Sequence, residues 1–384
     1  MPGSNTPKLL SMMQQLVAIP SMSSVNPSFD TGNRQVIDLL ATWLDGLGFH
    51  CDIQTVNNNP NKANLIATLG QGDNGLIFSG HTDTVPYDEG RWSQDPFRLT
   101  EKNNRYYGLG STDMKCFMAM VIEAVKSLDA KQLKQPLTIV ATADEESTMD
   151  GAKLIAANGK KLGQYCLIGE PTNLQPVRMH KGIMMESIKL IGQSGHSSDP
   201  ALGNNALEGM YHVIAELLTY RNELQEKFHN KAFVIPVPTL NLGHIHGGDN
   251  PNRICADCEL HIDLRPLPGM PLAELRNDIH QRIKRITDPL HLQVEFTPLF
   301  DGIPAMETDQ ESAIIQACEK LAKAKAESVA FGTEAPYFNQ LGTETIVMGP
   351  GSIDQAHQPD EYIESHAIQP TVKLLQALAE QFCY

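Results

Sequence analysis

The chain has 384 residues, 41% of them hydrophobic and 20% charged, with a formal net charge of −15. That length exceeds one ordinary core and predicts two domains. The negative balance argues against a nucleic-acid partner, whose phosphates call for Lys and Arg, and no apolar run reaches the roughly 18–20 residues of a membrane span.

Acidity suits a cationic small-molecule substrate. The N-terminal stretch MPGSNTPKLLSMMQQLVAIP lacks the cationic start, apolar core and cleavage site of a secretion leader. Its apolar positions Leu9, Leu10, Met13, Leu16 and Val17 recur at helical spacing instead. Seven scattered cysteines form no disulfide framework, so reduced thiols in a cytoplasm are expected.

Up to about residue 182, short β-rich runs alternate with amphipathic helices. A helix around Asn33–Leu47 precedes strands near Asp52–Val56, Asn64–Leu69 and Leu76–Ser79. A helix over Lys115–Leu128, a strand Leu137–Thr142, a helix around Gly151–Ala157 and a strand Tyr165–Ile168 follow. This alternation predicts an α/β three-layer domain with a mostly parallel sheet.

From residue 183 the pattern changes. Strands over Ile183–Ile191, Thr239–His246, Ile254–Leu264 and Leu290–Phe296 are separated by helices over Asn204–Phe228 and Pro271–Ile286. The order βαββαβ is that of a ferredoxin-like module with an antiparallel sheet. After about residue 300 the α/β pattern returns, with a helix over Glu311–Ala324, a strand Thr345–Met348 and a helix from Pro370 to Gln381. The economical arrangement is one discontinuous domain, 1–182 and 298–384, interrupted by a module at 183–297.

Ligands gather beyond the carboxyl ends of strands in open α/β sheets, and the polar residues of interest fall there. His81 closes LIFSGHTD, with Asp83 two residues on, able to hold the second ring nitrogen. Asp144, Glu145 and Glu146 follow Leu137–Thr142, Glu170 follows Tyr165–Ile168, and His357 lies in GPGSIDQAH after Thr345–Met348. Asp113, in GLGSTDMK, opens the helix that begins near Lys115. Taken singly, Asp113 reads as an N-cap, Glu145 and Glu146 as a solvated loop, and His357 as an exposed histidine. Together they bring two histidines and several carboxylates, with no thiolate, to one sheet edge. That donor set suits zinc, cobalt or manganese with positions left open for water. A carboxylate such as Asp113 can bridge two ions about 3.5–4 Å apart. Of the adjacent Glu145 and Glu146, one can bind metal while the other takes a proton from an activated water.

Cys255 and Cys258 form a C-x-x-C. Their odd spacing on an alternating strand predicts opposite faces, one thiol in the core and one exposed or at an interface, so no zinc or redox site is assigned. His244 and His246 share a face and read as strand or interface residues. GPGS at 349–352 lacks the Lys of a phosphate-binding loop.

The ordered motifs GHTDTVP, GLGSTDMK, ADEES, GEPT, GHSSDP and AHQPDE resemble the di-zinc aminoacylase/carboxypeptidase family of metallopeptidases along nearly the whole chain. The resemblance implies two divalent ions per subunit, zinc or cobalt. His81 and Glu170 would hold one, Glu146 and His357 the other, with Asp113 bridging. It makes Asp83 the partner that orients His81, and Glu145 the general base. His196 becomes a lid histidine that stabilises the oxyanion in the neighbouring subunit's site, and the inserted module a lid that forms a homodimer. Cys116 departs from the family, whose members usually carry Gly there. The implied substrate is a small N-acyl amino acid, here one with an ammonium side chain. Asn252, Arg253 and Arg265 are candidate anchors for its carboxylate or the oxyanion, and Glu334 for its ammonium group. Other N-acyl-amino-acid hydrolases, a dipeptidase and a non-catalytic binding relative are the competing readings.

Overall fold

The computed structural model describes residues 6–384; the first five, part of the segment read for a leader, lie outside the described residues. The chain divides into two compact units. One comprises the chain through Arg178 together with Thr308–Glu327 and Thr333–Tyr384; the other comprises Met179–Glu307 and Ser328–Gly332.

In chain order, the first unit begins α1 (Leu9–Ala18), α2 (Arg34–Asp45), β1 (His50–Thr55), β2 (Ala63–Leu69) and β3 (Leu76–His81). It continues with α3 (Lys115–Val125), β4 (Leu137–Thr142), α4 (Asp150–Ala157) and β5 (Tyr165–Pro171). The second unit contributes β6 (Ile183–Ile191), α5 (Ala206–Lys227), β7 (Thr239–Gly247), β8 (Asp257–Arg265), α6 (Leu272–Thr287) and β9 (Gln293–Ile303). The first unit then resumes with α7 (Ala313–Ala322), α8 (Ala335–Gln340), β10 (Glu344–Gly349) and α9 (Ser365–Cys383).

The main sheet of the first unit runs β1-β2-β4-β3-β5-β10. The strands β4, β3, β5 and β10 are parallel, and β1 and β2 add an antiparallel edge. Every residue of β3 and β4 is buried, which requires cover on both faces and explains their unbroken apolar runs. Helix α3 is buried at ten of its eleven positions, Glu123 being the exception, as a helix apolar all round must be. A small antiparallel sheet joins Thr100–Lys102, Arg105–Tyr107 and Tyr362–Glu364.

The second unit is an antiparallel sheet ordered β7-β8-β6-β9, the ferredoxin-like arrangement expected of βαββαβ. One face carries α5 and α6: Met184, Ile188, Leu190, Leu260, Ile262 and Leu264 pack with Val213, Leu217, Ile279 and Ile283 in one core.

Several boundaries differ from the sequence reading for identifiable reasons. Strand β9 continues past Pro298 to Ile303 through two register shifts, which an edge strand tolerates. Residues 298–307 therefore belong to the second unit. Helix α9 begins at Ser365, with Pro370 inside it; a proline that early removes only one hydrogen bond near the start. Strand β8 begins at Asp257, so Cys255 precedes the pleated segment and the face-alternation argument does not reach it. Both Cys255 and Cys258 are buried and free, which corrects the expectation that one would be exposed. His244 and His246 are exposed on the edge strand β7, and His244 packs on His261 with ring centroids 4.8 Å apart. No helix among the described residues is long and apolar enough to cross a membrane.

Candidate metal centre

The carboxyl ends of β3, β4, β5 and β10 carry the side chains that the sequence singled out. His81 is the last residue of β3 and fully buried. Its Nδ1 lies 3.0 Å from the backbone carbonyl of Asp83. A carbonyl only accepts, so Nδ1 carries a proton, and Nε2 is directed at Asp113 Oδ1, 2.9 Å away. The other oxygen of Asp113 faces a second histidine, with His357 Nε2 at 3.5 Å. His357 Nε2 also lies 2.8 Å from Glu146 Oε2. Glu170, the sixth residue of β5, brings Oε1 to 4.0 Å from His81 Nε2. Among the described residues, His81, Asp113 and Glu146 form one set whose ligand atoms all lie within 4.8 Å of one another.

Local sequence explains the placement. Gly169 precedes Glu170 because a Cβ there would lie 2.3 Å from the Phe117 ring. The loop after β4 turns through Asp144, whose φ is +61°, a conformation that Asp tolerates better than most residues. Asp144 is a structural member of this loop. It pairs with Lys62 at 2.7 Å and accepts from Ser23 Oγ at 2.6 Å. Asp83 serves both loops: its carbonyl holds His81, and its Oδ2 accepts the Glu146 N–H at 3.0 Å. Its carboxylate is farther from the imidazole, with Oδ1 at 3.7 Å from Nδ1. The sequence expected that carboxylate to set His81, and the carbonyl does so instead.

Electrostatically the cluster lacks positive charge. Burial pushes Asp83 to about 7 and Glu170 to about 8. Burial and the Glu170 charge hold Glu145 well above the ordinary carboxyl range. Burial and Asp113 do the same, less strongly, for Glu146. Burial pulls His81 down, but its hydrogen bond to Asp113 and the charge of Glu170 more than reverse this. The hydrogen bond to Glu146 lifts His357 to about 9. Buried Asp83 Oδ1 and Glu170 Oε1 have no hydrogen-bond partner among the described residues. Packed acids, orphaned carboxylate oxygens and two imidazoles directed at one carboxylate are the donor chemistry that divalent cations satisfy. The residues fit such ions.

The sequence model of peptidase family M20/M25/M40 matches residues 77–381. The chain belongs to that family. Acetylornithine deacetylase of Edwardsiella ictaluri (strain 93-146) is 48% identical over 377 residues, covering 98% of this chain and 98% of that protein. Aminopeptidase PepT from Bacillus cereus shares the fold, with a TM-score of 0.77 at 17% identity over 97% of this chain and 98% of that one. A Bacillus subtilis protein described as a dinuclear metal binding peptidase of the M20 family gives a TM-score of 0.67 at 15% identity, covering 97% and 96%.

Of the remaining expected residues of this M20 chain, His196, Asn252, Arg253 and Arg265 belong to the second unit and Glu334 to the first. His196 is exposed in the second unit and forms an isolated bridge with Arg253. Its Nδ1 accepts from the Ser198 N–H at 3.2 Å, with Ser198 Oγ at 2.6 Å, so Nε2 carries the ring proton. Arg253 pairs with Asp249 at 2.7 Å, and the Asn252 carbonyl accepts the Ser197 N–H at 3.1 Å. Arg265 is forked onto Asp263 at 2.8 and 3.0 Å. Glu334, in the first unit, is completely buried; Thr142 donates to its Oε2 at 2.9 Å, and its Oε1 has no partner among the described residues. Burial pushes it to about 7. One functional neighbour escaped the sequence reading. Glu361, the last residue of the quoted AHQPDE, accepts hydrogen bonds from the loop that carries Asp113.

Proposed function

We propose that this chain is a two-metal amidohydrolase that cleaves N2-acetyl-L-ornithine to L-ornithine and acetate in arginine biosynthesis, acting as a cytoplasmic homodimer. The observation that carries the two-metal reading is Asp113, each of whose oxygens faces a different histidine, His81 at 2.9 Å and His357 at 3.5 Å. The substrate rests on the full-length likeness to acetylornithine deacetylase at 48% identity and on the longer segments GEPTNLQPVRMHKG and GPGSIDQAHQPDEY, which look like that enzyme.

His81 and Glu170 hold one ion, Glu146 and His357 the other, and Asp113 lies between them, with zinc the first choice and cobalt the alternative. When bound, such ions polarise an acyl carbonyl and bring a water's pKa from 15.7 towards ~7. Asp83 positions the His81 and Glu146 loops. Glu145 takes a proton from the attacking water and delivers it to the departing α-amine as the C–N bond breaks; the second water proton also ends on that amine, so acetate and an α-ammonium group leave with the Glu145 carboxylate restored. His196, with its ring proton on Nε2, donates to the oxyanion in the site of the partner subunit. Asn252, Arg253 and Arg265 anchor the substrate carboxylate or the oxyanion. Glu334 supplies negative charge for the substrate's ammonium group, since a cation in a partly dry cleft needs a counter-charge.

The test is turnover by apo-protein titrated with zinc or cobalt, comparing acetylornithine, succinyl-diaminopimelate, neutral acetyl-amino acids and dipeptides. Acetylornithine should give the highest kcat/KM. Preference for succinyl-diaminopimelate, equal rates on all, or no turnover would replace this reading with a desuccinylase, a general aminoacylase or dipeptidase, or a binding protein respectively.

A further inference from the structure

Glu361 lies four residues beyond His357 and is 2% exposed. Its side chain fills a nest of backbone donors in the segment leading to Asp113. The Gly110 N–H donates to Oε2 at 2.9 Å, and the Thr112 and Asp113 N–H groups donate to Oε1 at 2.7 and 2.9 Å. The backbone continues the clamp. The Glu361 carbonyl accepts from Gly108 N–H at 3.0 Å, and the Tyr362 carbonyl accepts from Thr112 Oγ1 at 2.5 Å. Next to it, Tyr362, Ile363 and Glu364 pair as a strand with Tyr107, Tyr106 and Arg105.

A buried carboxylate needs such donors, and buried amides need such an acceptor. Three hydrogen bonds from one short loop to one buried side chain leave that loop little freedom. Gly110 is required for the nest, because its φ is +78° and a Cβ would lie 2.5 Å from the Lys115 side chain. Glu361 and His357 share one segment, and the amide that Glu361 holds belongs to Asp113 itself. The segment that presents one histidine thus also fixes the carboxylate which that histidine faces.

We infer that Glu361 is a positioning residue for the metal centre, holding Asp113 between the two ion positions and tying it to the His357 segment. This rests on the two-metal reading above. Glu361 touches neither substrate nor ion. Its effect is on where Asp113 Oδ1 and Oδ2 lie, so its loss should appear in ion binding before it appears in substrate binding.

The experiment is cobalt(II) titration into apo-protein, followed by the visible bands of the ion, with Glu361→Gln beside wild type and with kcat and KM measured on acetylornithine. Gln keeps the length but turns an N–H₂ towards one of the donors. The expected result is a loss of ~10–100-fold in cobalt affinity, the usual effect of removing an outer-shell partner. An altered band intensity, a fall in kcat and a KM within about twofold of wild type should accompany it. Wild-type cobalt affinity and spectrum, together with a lower melting temperature, would make Glu361 a purely structural residue and overturn the inference. If Glu361→Gln does not fold, Glu361→Asp is titrated in its place. It keeps the carboxyl group but draws the oxygens back by one methylene, and wild-type binding there would likewise overturn the inference. Failure of the wild-type protein itself to take up two ions would instead overturn the two-metal reading.

Discussion

Asp83 and Glu146 are joined by a hydrogen bond in which the Glu146 backbone N–H donates to Asp83 Oδ2 at 3.0 Å. Two loops from neighbouring strands are thereby locked together beside the cluster, and Asp83 does so with a side chain that is only 2% exposed. The bond needs an acceptor oxygen more than it needs a charge, while His81 is held by the Asp83 backbone carbonyl, which no substitution removes. Asp83→Asn should therefore keep zinc affinity within a few-fold of wild type, and Asp83→Ala should lose ~10–100-fold. Metal titration of both apo-variants checks this. An Asn variant as weak as the Ala variant would place the role in the charge.

Glu145 is half-buried beside Glu146, the residue proposed to hold metal. Glu145→Ala should leave metal content near normal and reduce kcat by at least ~10²–10⁴-fold, the usual share of a general base. Metal analysis and turnover on the same preparation check both halves. Retention of most activity would remove Glu145 from the base role.

The strand ends were legible because apolar runs stop abruptly at polar residues in this fold, so Leu137–Thr142 and Ile183–Ile191 could be bounded from sequence. The positions of His81, Glu146 and Glu170 were legible for the same reason, each closing or following such a run, whereas Asp113 was marked by the start of α3 and His357 by the Gly-rich loop after β10. Glu361 was not, because its role lies in accepting three backbone N–H groups from a loop some 250 positions away in sequence. Side-chain pattern carries no trace of such bonds. Asp83 was read correctly as a neighbour of His81, but which of its oxygens faces the ring depends on the turn after β3 and not on composition. Pro298 hid the end of β9, since a proline in an otherwise alternating run argues against a strand until its edge position is known.

The apo-protein should lose stability as pH rises. Burial raises Glu334 to about 7 and Glu361 to about 8, from an ordinary value of 4.5. Between 4.5 and those values the folded chain binds more protons than the unfolded one, so unfolding free energy falls with increasing pH. Their contribution is greatest below 4.5 and is lost as pH climbs through about 7 to 8. Thermal melts in chelator should accordingly give a lower Tm at pH 8 than at pH 5.5. A higher Tm at pH 8 would show that these acids are ionised and satisfied in the folded apo-protein.

Glu334 offers a test of substrate charge recognition. Its buried carboxyl group has one oxygen engaged by Thr142 and one without a partner among the described residues. Glu334→Gln should raise KM for acetylornithine far more than for acetylated amino acids with uncharged side chains. Equal changes on both would reduce Glu334 to a support for β4.

Gly169→Ala should destabilise the first unit. The added methyl would lie 2.3 Å from the ring of Phe117, itself 1% exposed within α3. The ring is buried and cannot swing out to solvent, and overpacking of this kind costs about 1–3 kcal/mol. For a domain of this size each kcal/mol lowers Tm by roughly 2–4 °C. Because Glu170 follows directly, the displaced backbone should also weaken metal binding. Shrinking the ring separates the two effects: Phe117→Leu in the Gly169→Ala background relieves the clash and should recover part of both losses, giving a favourable coupling energy in the double-mutant cycle. Strictly additive losses would mean that α3 accommodates the methyl without Phe117, and that the glycine is not there to let the ring approach β5.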